Sequence, residues 1–501
     1  MKASLRSRQE PRRVSNGVII AAMLLSLCVL SIVKARYCST PFGKPDDQLQ
    51  EQMNSSIRME TDHPAATVEE EQEDEEDVEE APATAAKAST TSAAAAVVSG
   101  AGKKSPKPKS KSKPKKQTCY MTSKRSERCE AAGDIRVEGN ASLIHINPLS
   151  KSWKTKPYAR YHDPVAMAHV REFTLKPFSS SSSPPPPACT KNHSVPGFLF
   201  SNGGFSGNLY HDYTDVLIPL FLTTRSFRGE VRFLLSGLKP WWVTKFTPLF
   251  RQLTNYDVLD VDNDGEIHCF PRIVVGSTFH KDMGVDPSKS PGGVSVVDFK
   301  RTLRAAFDLP RASASRAGAR GDGKPRLLII SRKSSRRFLN EKEMAAAGAA
   351  MGFQVRIAEP DQHTDMATFA RLVNSADVMV GVHGAGLTNM VFLPAGAVLV
   401  QVVPFGGLEW LTRVTFKEPA ADMEVRYMDY NVQLEESSLL DQYPRSHQVL
   451  ADPYAVHKQG WDALKTAYLD KQNVRLDLDR FRATLRDALA LLPPAAAPLP
   501  A

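Results

Sequence analysis

The stretch VMVGVHGAGLTNMVFLPAGAVLVQVVP, residues 378–404, leaves this chain few folds to choose from. It reads as a buried strand, a turn His383-Gly384-Ala385-Gly386, a short apolar helix and a second buried strand. Runs of β-branched residues without polar alternation suit a parallel sheet covered on both faces. At a strand-to-helix handover in such a sheet, free backbone N–H groups and the helix dipole favour an anion. A glycine turn carrying a histidine at that point raises the question of which anion is held.

The same pattern recurs on either side. A first half offers the strand candidates VPGFLFS, VRFLLS, YDVLDV and RIVVGS, with helical patterns NLYHDYTDVLIPLFLTTR and WWVTKFTPLFRQL between them. A second half offers RLLIISR, FQVRIAE, VMVGVH and VLVQVV, separated by NEKEMAAAGAAMG and DMATFARLVNSA. Apolar strands alternating with helices predict two doubly wound α/β domains facing a cleft. We place them at 119–309 and 326–492, joined by a linker over 310–325. SSSSSPPPP, at 179–187, reads as a surface loop and spacer.

What precedes the folded part is of another kind. Lys2, Arg6, Arg8, Arg12 and Arg13 stand against a single Glu10 in a basic tail, 1–16. The apolar run 17–33 reaches the lower limit of roughly 17 residues for a membrane span. A cleaved signal peptide ending near Ala35 is the competing reading; the long basic leader favours an uncleaved anchor with everything after it lumenal. Residues 34–118 carry VEEEQEDEEDVEE and KKSPKPKSKSKPKK with nothing apolar to bury, and are predicted to be a disordered stem. The acidic and basic runs nearly cancel, so most of the net +9 charge falls on the folded part. That suits an anionic ligand. The lysine run alone suggests nucleic acid, but a membrane anchor and sequons speak against that partner.

CYMTSKRSERC fits a lumenal disulfide between Cys119 and Cys129, while the pairing of Cys189 and Cys269 stays open. Asn54, Asn140 and Asn192 head glycosylation sequons, all beyond the span.

GVHGAGLTNMVFLPAGA followed by PFGGLEW resembles plant glycosyltransferase family 61, in its grass xylan arabinosyltransferase and xylosyltransferase branch. FSGNLYHDYTDVLIPLF and LLIISRKSSRRFLNE are similar to two further blocks of that family, in the same order. The resemblance implies a Golgi type II membrane protein of GT-B fold that uses a nucleotide sugar with inversion and needs no metal or other cofactor. Implied partners are UDP-arabinofuranose or UDP-xylose, a xylan acceptor, the Golgi membrane and other xylan synthesis enzymes in a complex. Alpha-1,3-arabinofuranosyl transfer to xylan is the leading expectation, with beta-1,2-xylosyl transfer the alternative. A lumenal glycan-binding protein without catalysis is the distant third.

Chemistry assigns the residues. His211 and Asp215 are four apart, so one helix face lets the carboxylate orient the imidazole as general base. Asp212 is the alternative base. Gly203, Gly204 and Gly207 make a loop leading to Asn208, at the head of that helix. On the donor side, Gly384 and Gly386 let the backbone approach a diphosphate, and His383 can donate to it. Arg332 and Arg337 are favoured as its cations, whereas Lys333 and Arg336 read as a solvated loop. Ala385, Thr388 and Glu409 complete the implied nucleotide-sugar set. Asn340 with Glu343 reads as a helix N-cap and capping box. DVDNDG, 260–265, carries an Asp-x-Asp and begins like a calcium loop, but Pro271 stands where a bidentate Glu is required. We read it as a hairpin turn.

Overall fold

The computed structural model describes residues 118–494, except 180, 183–184, 317–323 and 361–363. The predicted tail, span and stem (apart from Thr118) and the sequon at Asn54 lie outside the described residues. Among the described residues no helix is long and apolar enough to cross a membrane.

Strands β1 (Cys119–Ser123), β2 (Ser126–Glu138), β3 (Leu143–Asn147), β4 (Trp153–Thr155) and β5 (Phe173–Pro177) belong to a first sheet. It is completed by β6 (Lys191–Asn192), β7 (Gly197–Ser201), β8 (Arg232–Ser236), β9 (Leu259–Asp260) and β10 (Ile267–Val275). The order is β4-β5-β3-β2-β10-β7-β8-β9, with β1 added on β2 and β6 on β10. The four strands β10, β7, β8 and β9 are parallel. The rest is not as expected. β2 runs antiparallel to β10 and β3, so this sheet is mixed where a parallel one was predicted. Ile135 and Val137 are buried, whereas Asp134 is exposed and Arg136, between the two, is part-exposed and pairs with it, an alternation typical of antiparallel strands with one wet face.

The second sheet is parallel throughout. It comprises β11 (Arg326–Ile330), β12 (Gln354–Ala358), β13 (Val378–Val382), β14 (Val398–Val403) and β15 (Arg426–Asn431), in the order β12-β11-β13-β14-β15. The chain therefore winds outward from β11 in one direction and then, from β13, in the other. Ligands bind at the carboxyl ends of strands flanking such a switch point. In the first sheet the corresponding reversal lies between β7 and β10.

One apolar core joins the two sheets, taking in Phe198, Phe233, Leu328, Val380 and Val400. Helix Val296–Phe307, opened by a capping box between Ser295 and Asp298, ties them together. Phe299 meets the rings of Tyr213 and Phe221, Phe307 meets Phe392, and buried Lys300 donates to the Met423 carbonyl at 2.7 Å. The described part of the 310–325 linker is packed, with Arg311 paired to buried Asp377 at 2.5 Å.

Cys119 and Cys129 face each other in register on β1 and β2 and form the expected disulfide. Cys189 and Cys269 form a second. Asn140 and Asn192 are exposed. DVDNDG does turn, with Asn263 and Asp264 N–H donated to the Asp260 carbonyl, but it is no hairpin. β9 pairs with β8 and β10 pairs with β2, so the turn hands the chain across the sheet.

Candidate functional site

The first handover follows β7. Residues 202–208 cross the end of the sheet, and Asn208 starts a helix by accepting the Tyr210 N–H at 3.1 Å. Gly204 and Gly207 are required here. A Cβ on Gly204 would stand 2.5 Å from the Tyr158 ring, and Gly207, at φ 104°, donates its N–H to Asp212 Oδ1 at 3.0 Å. Gly203 likewise packs against the His169 carbonyl. Leu209–His211 then runs into a π-helical turn, Asp212–Leu217, and on through Ile218–Thr224. π-turns cluster at functional sites because they re-aim side chains within a helix.

On that turn His211 Nδ1 lies 2.8 Å from Asp215 Oδ2, as the four-residue spacing predicts. Asp215 is a hub. Its Oδ2 also accepts from Tyr158 Oη at 3.0 Å and Arg160 Nε at 2.8 Å, and its Oδ1 accepts from Arg125 Nη2 at 3.1 Å. Burial works against its charge, but Arg160, His211 and Arg125 hold the carboxyl well below the usual range. An ionised Asp215 fixes the proton of His211 on Nδ1. Burial, then Arg160, lowers the His211 pKa despite the pull of Asp215, so the ring is neutral. Its Nε2 is buried and has no partner among the described residues. This is a lone pair waiting for a proton.

Asp212, also fully buried, accepts at Oδ1 from Gly207 and from Trp242 Nε1 at 2.7 Å, while its Oδ2 has no partner among the described residues. Burial raises its pKa to about 6, against the half-buried Lys245.

The second handover follows β13. Gly384, at φ 148°, admits no side chain, since a Cβ there would lie 2.7 Å from Arg332 Nη1 and 3.2 Å from Arg336 Nη1. The short helix Ala385–Phe392 is of the 3-10 type, and on it Thr388 Oγ1 and Asn389 Oδ1 are buried without partners among the described residues. His383 Nδ1 lies 2.8 Å from Gln401 Nε2 on β14. An amide nitrogen only donates, so Nδ1 accepts and the proton of this ring is on Nε2. Burial, then Arg336 and Arg332, push the His383 pKa well below its usual value.

The cations are arranged differently from the expectation. Arg332, at the carboxyl end of β11, bonds the Ser335 carbonyl and lies against Gly384, as anticipated. Arg337 does not join it; its side chain is exposed and its N–H bonds Asn473. The neighbour read as solvated, Arg336, is fully buried instead. It donates from Nη1 to the His383 carbonyl at 3.0 Å, while Nε and Nη2 have no partner among the described residues. A left-handed backbone at Arg336, φ 55°, turns its side chain inward and that of Arg337 outward. A buried guanidinium with unmet donors costs on the order of several kcal/mol, which the attraction of Asp470 offsets in part. Lys333 is exposed.

The two handovers meet. The Tyr210 ring lies 5.9 Å from Phe416 at 72°, and Phe416 lies 5.7 Å from His383 at 71°. The helices Leu209–His211 and Ala385–Phe392 are in contact. Glu409 lies apart from this cluster, exposed at the start of the helix Glu409–Thr412 that leads to Phe416.

Two other sequence readings take a different form. Asn340 does precede its helix, but its side chain makes no cap; it clamps residue 476 through the Leu476 N–H and carbonyl. Asp262 is already engaged by Ser236 Oγ, Gly237 N–H and Arg171. Among the described residues no three His, Cys, Asp or Glu side chains gather as metal ligands.

Two α/β lobes thus bring a neutral acceptor nitrogen of one close to a cationic glycine turn of the other. Comparison with known proteins makes this specific. The Glycosyltransferase 61 family profile matches residues 152–400. Over 395 residues the chain is 40% identical to a beta-1,2-xylosyltransferase of Oryza sativa subsp. japonica, covering 75% of this chain and 84% of that one. Over 380 residues it is 42% identical to an alpha-1,3-arabinosyltransferase of the same plant, covering 75% of this chain and 64% of that one. The chain belongs to the glycosyltransferase 61 family. It spans less than two thirds of the arabinosyltransferase's own length. Among solved structures, a dodecameric iron-containing heptosyltransferase overlaps 56% of this chain and 76% of its own at 13% identity and a TM-score of 0.24, too slight a likeness to argue from.

Proposed function

We propose that this chain transfers a pentose from a UDP-sugar to xylan, in a GT-B arrangement, with inversion and without a metal. The observation that carries the reading is a pair of buried groups whose hydrogen-bonding capacity is unmet among the described residues: His211 Nε2 on the first handover, and Nε and Nη2 of Arg336, whose Nη1 holds the His383 carbonyl of the second. The diphosphate meets Arg336, Arg332, the N–H groups after Gly384 and His383 Nε2–H. The xylan hydroxyl gives its proton to His211 Nε2 as its oxygen attacks the anomeric carbon. The bond from that carbon to the diphosphate breaks on the opposite face, and UDP leaves as the anion. Asp215 stays ionised and steadies the imidazolium.

Arabinofuranose is the leading donor, supported by the alpha-1,3-arabinosyltransferase relative, and alpha-1,3 the leading linkage. Xylose is the second reading, because a beta-1,2-xylosyltransferase is nearly as similar. We place the protein in the Golgi membrane, anchored by residues 17–33, with the folded part lumenal. The two disulfides and the exposed sequons at Asn140 and Asn192 suit an oxidising, glycosylating compartment.

The test supplies the full chain in detergent with UDP-arabinofuranose or UDP-xylose and a xylo-oligosaccharide. A pentosylated product with stoichiometric UDP, formed equally in excess chelator, is expected. UDP bound but no product from either donor would leave a glycan-binding protein instead. Activity lost on chelation and restored by Mn²⁺ would refute the metal-free step.

A further inference from the structure

Strand β14 reads VLVQVV, and a lone glutamine in so aliphatic a strand needs a reason. Gln401 is fully buried, yet both ends of its amide are engaged. Nε2 donates to His383 Nδ1 at 2.8 Å, and Oε1 accepts from Tyr427 Oη on β15 at 2.9 Å. With the hydroxyl donating to Oε1, the amide NH2 faces His383, and the amide in that orientation sets which nitrogen of His383 carries the proton. We propose that Gln401 and Tyr427 are positioning residues that keep His383 a neutral Nε2–H donor toward the leaving diphosphate. The inference rests on the reading of His383 as a diphosphate ligand given above.

The physical case is one of sign. A ring with its proton on Nε2 offers the diphosphate a donor whose hydrogen bond strengthens as charge grows on the leaving oxygen. The same ring with its proton on Nδ1 offers a lone pair, which repels that oxygen. Burial, then Arg336 and Arg332, disfavour protonating both nitrogens, so the ring is left with these two neutral forms. No proton moves in this arrangement. Reversing the Gln401 amide, or replacing it with a carboxylate of nearly the same shape, asks Nδ1 to donate and turns the lone pair toward the ligand. The geometry of the pocket hardly changes while the polarity of its histidine inverts.

The experiment uses the full chain in detergent. Nitrogen-15 spectra of histidine-labelled protein, with His383 assigned by its loss in His383→Ala, are expected to show Nε2 protonated and Nδ1 not. Calorimetry with UDP is expected to find Gln401→Glu at least as weak a binder as His383→Ala. Tyr427→Phe, which only frees the amide to turn, is expected to lose about 2- to 12-fold. Binding of a xylo-oligosaccharide is expected to be unchanged in both positioning variants, which a general loosening of the sheet would not allow. UDP affinity retained in Gln401→Glu, while His383→Ala loses it, overturns the inference alone. UDP affinity retained in His383→Ala overturns the diphosphate reading beneath it. If Gln401→Glu does not fold, the unsubstituted chain decides: a proton found on Nδ1 of His383 ends the proposal.

Discussion

The two handovers look alike and are wired in opposite senses. Each sends a parallel strand through a glycine loop into a short helix, at a reversal of sheet winding, and each offers a buried neutral histidine. At His211 a carboxylate accepts the hydrogen bond of Nδ1–H, so Nε2 is left as an acceptor. At His383 an amide donates to Nδ1, so Nε2 is left as a donor. The lesson is that a histidine's role is set by what its other nitrogen touches, since the ring itself can do either. The surroundings follow the same division. The His211 side balances Arg125 and Arg160 against Asp215, whereas the His383 side crowds Arg332 and Arg336 together at Gly384, with Asp470 the acid that Arg336 feels.

The largest effect should come from the acceptor nitrogen. His211→Ala is expected to lower kcat by ~10²–10⁴ while UDP affinity stays near that of the natural chain. Single-turnover rates alongside calorimetry check this. Loss of UDP binding in His211→Ala, with binding intact in His383→Ala, would exchange the two lobes' roles.

Arg336 comes next and should split binding from stability. Arg336→Met removes a buried cation whose Nε and Nη2 have no partner among the described residues, so UDP affinity should fall ~10–150-fold. The unliganded chain should melt at the same temperature or higher, because that desolvation cost is gone. A variant that binds UDP normally, or that melts well below the natural chain, means the guanidinium is satisfied internally.

The pH profile separates His211 from Asp212. Burial, then Arg160, holds His211 below its ordinary value of 6.5, so the acid limb of kcat/KM should lie below that pH. Asp212, raised by burial to about 6, titrates nearby. Asp212→Asn should keep the limb; its disappearance would make Asp212 the base. Stability carries a matching signature. The unfolded chain takes up protons on histidine before buried His211 and His383 do, so stability falls as pH drops below about 6.5. Asp212 acts in the opposite direction, stabilising its neutral form at low pH and losing that contribution as pH rises through about 6. Melting curves of Asp212→Asn against the natural chain should differ in that sense.

The smallest effect is a control. Arg337 is exposed, and Arg337→Ala should change UDP affinity by no more than about twofold. A loss matching that of Arg336→Met would mean the ligand reaches out past the turn.

The sequence alone determined the strands that are apolar on both faces, β7, β8, β11, β13 and β14, and the two handovers that follow β7 and β13. A continuous β-branched run bounded by glycines has few other structures open to it. The spacing of His211 and Asp215 was equally readable, because a helix turn fixes what lies four residues on. The tertiary structure decided the rest. Strands β1–β5, most of them paired antiparallel, mix polar with apolar residues and give no continuous apolar run. Arg125, Tyr158 and Arg160 reach Asp215 from another part of the chain, and no local pattern announces them. Of two adjacent arginines, a single left-handed backbone turn chose Arg336 for the interior and left Arg337 in water. Sequence patterns report burial averaged over an element, whereas which side chain faces which is set only when distant elements pack.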